Sequence, residues 1–424
     1  MNKKVRRIIT MAICTLLLLC ACNNSGAAVK PEDLNVPQFE DNQSIVIGTW
    51  SGSMVNWSQE QFDYLKNANI NLLLGVSEYM GYSNAFFDMA QAAGVGVFPD
   101  SRSWNGEVSE FVDHPAFLGY CVWDEPTDLD FPALAEKRAL WEQTMREKMF
   151  FVNLFPGDVG SNQFGGYDNY VSSFIQTVNP EVVSLDHYPL MKDYNGNTIV
   201  KDSFFNNLDV CSYYAKEAGL PFWFSFLTSK HMNYVEPTME ELRWQMAVGQ
   251  AYGATGLVHY VYASHDSDYT CPIDWKSQTP TELYNSMAEA NAEVAAWDHI
   301  YMQYDWQGTA TINGSSGTPC TGFLFCTHAV DPKANTGITA IESSEALLCG
   351  IFKDANGKEA FMLTNATNPA DEKDTTVKLT LNEKYKGVLV IDAGKQSVMV
   401  LKDQVATIQI GSSKGVFVIP LTTK

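Results

Sequence analysis

Basic residues are scarce in this 424-residue chain. It contains 28 Lys and Arg against 49 Asp and Glu, so its formal net charge is −21 at pH 7. A protein that binds nucleic acid needs a basic surface to face the phosphates. The charge balance therefore argues against a nucleic-acid partner and favours neutral or cationic substrates.

Long hydrophobic runs are absent beyond the first 22 residues. Residues 8–21 carry no charge and follow "MNKKVRR", but this run is shorter than the ~20 apolar residues that a helix needs to cross a bilayer. The pattern is typical of a secretory signal peptide. The following "LCAC" resembles the lipobox of bacterial lipoproteins, which implies lipidation at Cys22. The alternative is an ordinary signal peptide that leaves Cys22 as a plain thiol.

The start of the mature chain is polar. Loss of residues 1–21 removes four basic residues and no acid, which takes the net charge from −21 to about −25. Residues 23–43 contain two prolines and few apolar side chains, as expected of a tether. The sequence thus predicts an exported protein that is attached to a bacterial membrane through its N-terminal lipid alone.

Several chemical motifs are missing. The six cysteines beyond the lipobox form no Cys-x-x-Cys pair, so buried free thiols are expected for most of them and a zinc site is not. There is no Gly-x-Ser-x-Gly elbow and no glycine-rich phosphate loop. No cofactor and no metal are expected, although a calcium-stabilised loop at "SHDSDYTCPIDW" is an alternative to a substrate loop there.

Eight short runs rich in β-forming residues recur along the first two thirds of the chain. They are apolar continuously rather than alternately, as parallel strands covered on both faces must be. Helical stretches separate most of them, and eight such units over about 260 residues is the size of a TIM (β/α)8 barrel. The runs are residues 44–50, 71–77, 95–100, 118–126, 149–156, 182–189, 221–229 and 254–262.

Capping residues predict where helices begin and end. Ser58 with Gln61 and Thr238 with Glu241 have the spacing of capping boxes. Another helix is expected to start with Thr279 as cap and Pro280 at its first position, and Gly94, Gly219 and Gly253 fall where helices should stop. Residues 101–117 make a poor helix, so a loop or short turn is expected to cover that side of the ring.

The pattern of apolar and polar residues changes after residue 303. Alternating segments with turn signals follow, including an Asn-Gly hairpin turn in "DANGKE" and a predicted meander in "DAGKQSVMVLKDQVATIQIGSSKG". The fold class expected is α/β, with a barrel over residues 44–303 and a small antiparallel β-sandwich over residues 304–424.

Chemistry in a TIM barrel lies at the C-terminal ends of the strands. Several residues at the ends of the eight runs are acids. Their mutual repulsion lowers stability, so a functional role explains their presence better than packing does. The candidates are Trp50, Glu78, Asp100, Trp123, Asp124, Glu125, Asn153, Asp186, His187, Tyr188, residues 225–229, His259, Tyr260 and Tyr262.

Two carboxyl groups that face one cleft are what glycoside hydrolysis requires. Glu125 follows the aromatic Trp123 and precedes the rigid Pro126 in "GYCVWDEP", and it is the best candidate for the general acid. Asp124 is expected to hold its neighbours by hydrogen bonds. The alternative is that Asp124 and Glu125 only cap the next helix, where carboxylates are favoured by the helix dipole.

The motifs "GYCVWDEP", "VSLDHYP", "PFWFSF" and "AYGATGLVHYVY" resemble the large clan of TIM-barrel glycoside hydrolases, especially bacterial lipoproteins with a C-terminal β-sandwich. In that clan the acid/base glutamate closes the fourth strand, usually after Asn, which implies this role for Glu125. The resemblance also implies substrate contacts for His187 and Tyr188 and, at the ends of the first and eighth strands, for Trp50 and Tyr260 or Tyr262.

The clan's nucleophile, a glutamate that closes the seventh strand, is missing from "PFWFSFLTSKH". We therefore expect Asp186 to be the second carboxylate, with Asp100 and Glu78 as alternatives, and an inverting mechanism becomes possible. Asp100, Trp123, Asp124, Asn153 and His259 are expected to contact an oligo- or polysaccharide. The rival interpretation is a lipoprotein that has lost catalysis and binds glycans.

Overall fold

The computed structural model describes residues 29–54, 56–77, 82–157, 165–318 and 320–424. The predicted signal peptide, Cys22 and Glu78 lie outside the described residues.

Eight parallel strands form the first sheet. In space their order is β3, β2, β1, β10, β9, β6, β5, β4, and parallel bridges between residues 97 and 117 and between residues 100 and 121 join β3 to β4. The sheet is thereby closed into a barrel, and all eight predicted strands are confirmed. They are β1 Val46–Trp50, β2 Leu72–Val76, β3 Gly96–Pro99, β4 Gly119–Asp124, β5 Met149–Leu154, β6 Val183–Asp186, β9 Phe222–Leu227 and β10 Gly256–Tyr260.

The barrel interior is filled by side chains rather than open. Phe98 and Phe151 stack with their ring centroids 5.6 Å apart, and Trp223 lies 5.8 Å from Phe151. Leu72 and Val258 complete this inner core, while the opposite faces of the same strands pack against helices. Burial on both faces explains why the strands are continuously apolar.

Helices surround most of the barrel. Residues 101–118, between β3 and β4, form turns without a helix, as the sequence predicted. The helices are α1 Gln59–Asn67, α2 Asn84–Ala93, α3 Phe131–Thr144, α4 Tyr167–Val178, α5 Phe204–Glu217, α6 Met239–Ala251, α7 Glu282–Ala295 and α8 Asp298–Tyr301. Within the described ranges, no helix combines the length and apolar character needed to span a bilayer.

The predicted caps are confirmed at α6, only in part at α1, and wrong at α7. At α1 the Gln61 side chain donates to the Gln278 carbonyl and does not complete the box. Ser58 accepts a hydrogen bond from the Gln61 amide, and Thr238 and Glu241 form a reciprocal capping box. At α7 the cap is Thr281 instead of Thr279. Thr279 and Pro280 belong to a two-residue strand, β12, which pairs with β11 Ile273–Asp274. Proline is tolerated at such a strand edge as well as at a helix start, because neither position needs its amide hydrogen.

A second hairpin extends the C-terminal end of the barrel. Strands β7 Leu190–Lys192 and β8 Thr198–Val200 pair antiparallel between β6 and α5. The Lys192 amide donates to the Asn233 carbonyl, which ties this hairpin to the loop after β9. The loops that follow β6 and β9 therefore form one wall at this end.

Two antiparallel sheets follow the barrel, which confirms the predicted fold class. One sheet has the order β13, β15, β16, β21, β18, β19 and the other β14, β17, β20. The predicted meander is wrong in part, because β19 pairs with β18 whereas β20 crosses to the other sheet. The strands are β13 Tyr304–Ile312, β14 Ile338–Ser343, β15 Leu347–Asp354, β16 Glu359–Asn365, β17 Thr375–Leu381, β18 Gly387–Asp392, β19 Lys395–Val400, β20 Val405–Ile410 and β21 Gly415–Leu421.

The six-stranded sheet packs directly on the barrel helices. Phe417 lies 5.5 Å from Trp297 and 6.1 Å from Tyr301 between ring centroids. Trp306 Nε1 and Thr309 Oγ1 donate to the carbonyl oxygen of Ala251 at the end of α6, at 3.1 and 2.7 Å. One apolar core therefore runs from the barrel helices into the sandwich.

The predicted tether over residues 23–43 needs correction in its described part. Leu34 is only 1% exposed and pairs as an antiparallel bridge with Thr423. The Asn35 amide donates to the Thr422 carbonyl at 2.9 Å, and the Lys424 amide donates to the Asp33 carbonyl at 3.0 Å. The polar composition of the segment gave no sign that Leu34 is buried. The segment around Leu34 lies on the edge of the sandwich.

Candidate active site

A β-bulge sets the direction of the side chains at the end of β4. Cys121 belongs to the barrel interior, and the register against β5 shifts between Cys121 and Trp123. Trp123 then packs with the outer core, its ring 5.8 Å from Lys137 Nζ of α3. Asp124 pairs with Asn153 of β5. The extra residue of the bulge reverses the alternation, so that Asp124 and not Trp123 points to the mouth of the barrel.

Glu125 has a left-handed backbone, with φ of 55°. Its amide still donates to the Asn153 carbonyl at 2.8 Å, so the strain lies at the exact point where the strand leaves the sheet. Such a conformation costs a non-glycine residue about 1 kcal/mol or more, and it concentrates at functional sites. Among the described residues, no hydrogen bond or ion pair engages the Glu125 carboxyl group, which leaves it available to a ligand.

The first turn after this strand has its own cap. The Thr127 amide donates to Asp130 Oδ2 at 2.7 Å, and Thr127 Oγ1 donates to the same oxygen at 2.7 Å. The alternative role of Asp124 and Glu125 as helix caps is therefore wrong, because Asp130 fills that position.

Asp124 is held by a chain of buried polar groups. Asn153 Nδ2 donates to Asp124 Oδ1 at 3.2 Å, and Ser184 Oγ donates to Asn153 Oδ1 at 2.9 Å. On the other side, Arg102 Nη2 lies 3.6 Å from Asp124 Oδ2, and Arg102 Nε lies 3.6 Å from Asp100 Oδ1. Three neighbouring strand ends thus fix the position of one carboxylate.

The two adjacent acids differ in electrostatic environment. Burial raises the pKa of Asp124, but the Asn153 hydrogen bond and the charge of Arg102 oppose this rise. Burial and the charge of Asp124 raise the pKa of Glu125 to about 7. The charge of Asp124 therefore favours a protonated Glu125.

Asp186, at the end of β6, is the third carboxyl group of the cluster. It is 8% exposed, and Tyr188 Oη donates to its Oδ2 at 3.1 Å. Its Oδ1 is buried and has no hydrogen-bond partner among the described residues. Burial, followed by the charges of Glu125 and Asp124, raises the pKa of Asp186 well above its usual range. The structure thus brings together both acids that the sequence proposed as catalytic.

Aromatic rings line the wall beside Asp186. Tyr188 stacks on Tyr260 with ring centroids 4.9 Å apart, and Tyr234 meets Tyr188 edge to face at 5.7 Å. His231 stacks on Tyr269 at 4.9 Å. Tyr269 belongs to the predicted substrate loop "SHDSDYTCPIDW". Tyr234 was not predicted, since it lies in a loop whose path the strand pattern does not reveal.

The predicted substrate contacts of two histidines are wrong. His187 and His259 are fully buried and face helices. His187 Nε2 lies 3.1 Å from Ser203 Oγ at the start of α5. His259 Nε2 lies 2.8 Å from Asn291 Oδ1 of α7, and burial lowers its pKa to about 4. Both rings support the packing of helices on the barrel.

Trp50 lies below the mouth, within the barrel. Its Nε1 donates to Ser225 Oγ at 3.3 Å, and its ring covers Gly75, where a Cβ atom would stand 2.8 Å from the indole. Tyr262 is fully buried as well and stacks on Trp57, so its assignment as an alternative sugar-stacking residue is wrong. Asp100 is partly exposed beside Arg102, and its substrate contact stays a prediction.

The end of the seventh barrel strand carries no carboxylate. Ser225, Thr228 and Ser229 are buried there, and Ser229 Oγ donates to the Val261 carbonyl at 2.6 Å. Glu241 lies in the capping box of α6. Residues 221–235, which form this strand and the loop after it, therefore place no carboxylate at the mouth.

The loop proposed as an alternative calcium site makes local turns. Asp274 Oδ1 accepts hydrogen bonds from the amides of Lys276 and Ser277, and Asp266 Oδ1 accepts one from the Asp268 amide. Over the described ranges, no group of three or more His, Cys, Asp or Glu side chains is arranged to hold a metal ion. All six cysteines in these ranges are free, and four of them are buried.

Comparison with solved structures identifies similar folds. A Bacteroides fragilis protein described as an alpha-galactosidase or melibiase has a TM-score of 0.51 and 8% identity, over 89% of this chain and 79% of that one. An Anoxybacillus alpha-amylase has a TM-score of 0.46 and 12% identity, over 86% and 90% of the two chains. A Bifidobacterium longum family 51 alpha-L-arabinofuranosidase has a TM-score of 0.43 and 9% identity, over 94% and 100%.

These identities are low, and the likeness establishes only the fold, a TIM barrel with a C-terminal β domain. No protein-family model matches the chain, and neither does any curated protein sequence.

Proposed function

We propose that this protein is a glycoside hydrolase in which Glu125 is the general acid. The observation that carries the proposal is the environment of Glu125, a carboxyl group at the mouth of the barrel whose pKa is raised to about 7 beside Asp124. A carboxyl group that keeps its proton near neutral pH can protonate the oxygen of a leaving sugar. The solved structures with a similar fold include glycoside hydrolases, which agrees with this assignment.

Asp186 is the proposed partner of Glu125. In the inverting form of the reaction, Glu125 gives its proton to the glycosidic oxygen while water attacks the anomeric carbon, and Asp186 takes a proton from that water. Burial raises the pKa of Asp186 well above its usual range, and the Tyr188 hydrogen bond opposes this rise. The Oδ1 of Asp186, which has no hydrogen-bond partner among the described residues, provides an acceptor.

The aromatic wall is the proposed sugar-binding surface. Tyr188 and Tyr260 present stacked rings beside Asp186, and aromatic faces pack well on the apolar faces of sugars. An oligo- or polysaccharide is therefore the proposed substrate, and no cofactor is required for the reaction. Asp100 remains a proposed substrate residue. Trp50, inside the barrel, and Trp123, packed in the outer core, do not face the mouth, so their predicted substrate contacts are wrong.

A glycan-binding protein without catalysis is the second candidate. The missing carboxylate at the end of the seventh barrel strand favours it, because clan members use a glutamate there. In this case the acid cluster and the aromatic wall would bind a sugar and leave the glycosidic bond intact.

Export and lipidation complete the proposal. Cys22 would be acylated and would anchor the mature chain to a bacterial membrane, with no nucleic acid as partner. The eight peptide links from Cys22 to Lys30 reach at most about 28 Å when fully extended. Metabolic labelling with a fatty-acid analogue tests this, since Cys22→Ala should lose the label and release the protein from the membrane fraction.

A panel of poly- and oligosaccharides decides between the two functions. Wild type, Glu125→Gln and the control Glu236→Gln, an exposed loop residue, are compared for cleavage and for binding. Cleavage by wild type and by the control, with binding but no cleavage by Glu125→Gln, supports the hydrolase. Binding by all three with no cleavage of any substrate overturns it and supports the binding protein.

A further inference from the structure

Arg102 lies in the loop where the barrel lacks a helix. Its side chain is 58% exposed, and its guanidinium group contacts two carboxylates, Asp100 and Asp124, at 3.6 Å each. Lys137 Nζ of α3 donates to the Arg102 carbonyl oxygen at 2.6 Å, which holds the loop against the next unit of the barrel. The guanidinium group is therefore positioned from both neighbouring strands.

The adjacent carboxyl groups raise a problem that Arg102 can solve. A general acid must hold the proton on one defined group, yet Asp124 and Glu125 are chain neighbours with raised pKa values. Asp124 has Asn153 on one oxygen and Arg102 beside the other. The charge of Arg102 lowers the pKa of both groups, but its ion pair is with Asp124. A fixed cation favours the ionised form of its partner, so Arg102 favours the proton on Glu125 over Asp124.

We propose that Arg102 is a positioning residue that keeps Asp124 ionised and in place, so that the proton for the leaving group stays on Glu125. This role rests on the proposed hydrolase function. Arg102 is not a catalytic residue in this proposal, because it acts through Asp124 and does not touch the reacting atoms.

The other groups that face this pair supply no positive charge. Lys137, on α3, lies over the Trp123 ring and bonds the Arg102 carbonyl. In the part of the chain that the structure describes, the titratable groups acting on Asp124 and Glu125 besides Arg102 are acids or uncharged hydroxyl and thiol groups. They are Asp100 from β3, Cys121 from β4, Tyr170 from α4, Asp186 and Tyr188 from β6 and the residues after it, and Tyr260 from β10.

The pH profile of kcat/KM tests the role of Arg102. In Arg102→Gln both the acidic and the basic limb of the profile should move to higher pH by about one unit. The reason is that loss of a cation raises both pKa values of the coupled Asp124–Glu125 pair. At the optimum kcat should fall about tenfold, while KM changes little. Arg102→Lys should restore both limbs, and the control Arg146→Gln, at an exposed residue of the loop after α3, should match wild type. A fall in kcat with both limbs unmoved would mean a merely structural role and would overturn the proposal.

A measurement without substrate separates this proposal from the proposed function. The pH dependence of the melting temperature reports the same carboxyl protons, and its transition should move to higher pH in Arg102→Gln. If wild type cleaves no glycan but this transition moves, the hydrolase proposal fails and the electrostatic role of Arg102 stands. If the transition stays where it is in wild type, the Arg102 proposal fails whatever the activity.

Discussion

At the scale of single residues, Glu125 has two features that lower the stability of the fold. Its backbone is left-handed, with φ of 55°, and its carboxyl group is half-buried beside another acid, which raises its pKa to about 7. Neither feature helps the chain to fold. Both follow from placing a protonated carboxyl group at the mouth of the barrel, and both can be measured.

The raised pKa predicts how stability depends on pH. Below about pH 4.5 Glu125 is protonated in both the folded and unfolded states. Between about pH 4.5 and 7 only the folded state keeps the proton, so the free energy of unfolding should fall as pH rises through this window. Urea titrations at several pH values should give a shallower fall for Glu125→Gln, whereas the control Glu236→Gln should follow wild type. Equal slopes for wild type and Glu125→Gln would contradict the assignment.

The left-handed backbone predicts a gain in stability when the side chain is removed. Glycine adopts φ near 55° without strain, so Glu125→Gly should raise the free energy of unfolding by about 1 kcal/mol and abolish cleavage. Asn335→Gly is a matched control, because Asn335 is exposed and has φ of 57°. The control should keep full activity. A destabilised Glu125→Gly would show that the Glu125 side chain supports the fold.

The sequence predicted the acids of the site better than the histidines. Asp124, Glu125, Asn153 and Asp186 could be found as polar residues at the ends of apolar runs. His187 follows Asp186 directly, and successive residues of a strand point to opposite faces, so only one of the two could face the mouth. The bulge that turns Trp123 outward has no comparable signal in the sequence.

At the scale of elements, the pair β4 and β5 sets the geometry of the acids. The bulge in β4 directs Asp124 toward Asn153, and Ser184 on β6 fixes the Asn153 amide. The turns in place of a helix after β3 carry Arg102 to the same place. Residues 101–117, for which the sequence predicts no good helix, thus form a segment that contributes to the site.

Asn153 tests this arrangement. Asn153→Ala removes a buried hydrogen bond and leaves Ser184 Oγ unpaired, so it should lower the free energy of unfolding by about 2 kcal/mol and also reduce kcat. Ser184→Ala keeps the contact between Asn153 and Asp124, and it should cost stability with kcat nearly unchanged. Thermal denaturation and steady-state kinetics give both values. A loss of kcat in Ser184→Ala as large as in Asn153→Ala would contradict a specific role for the amide of Asn153.

At the scale of the whole molecule, barrel, sandwich and N-terminal segment share one packed structure. Phe417 of the sandwich packs on Trp297 of the barrel, and Leu34 of the N-terminal segment packs against the sandwich. Hydrophobic patterning predicted the first two units, because each repeats a strand or helix period over many residues. The docked segment was missed because a single leucine in polar surroundings produces no period.

Leu34 provides a test of that docking. Leu34→Ala should lower the free energy of unfolding by about 2–3 kcal/mol, because it opens a cavity at a buried position. Asn35→Ala is the control, since the exposed Asn35 bonds Thr422 through its backbone amide. Denaturant titration should show the loss in the first variant and less than about 0.5 kcal/mol in the second. Equal stability of Leu34→Ala and wild type would mean that the segment is not docked in solution.

The most direct test of the account uses two leaving groups. A general acid matters for a poor leaving group such as a sugar hydroxyl and little for an activated one such as dinitrophenolate. For Glu125→Gln, kcat/KM should fall by about 10²–10⁴-fold on a natural glycoside and stay near that of wild type on the dinitrophenyl glycoside of the same sugar. An equal loss on both substrates would contradict the assignment of Glu125 as the proton donor.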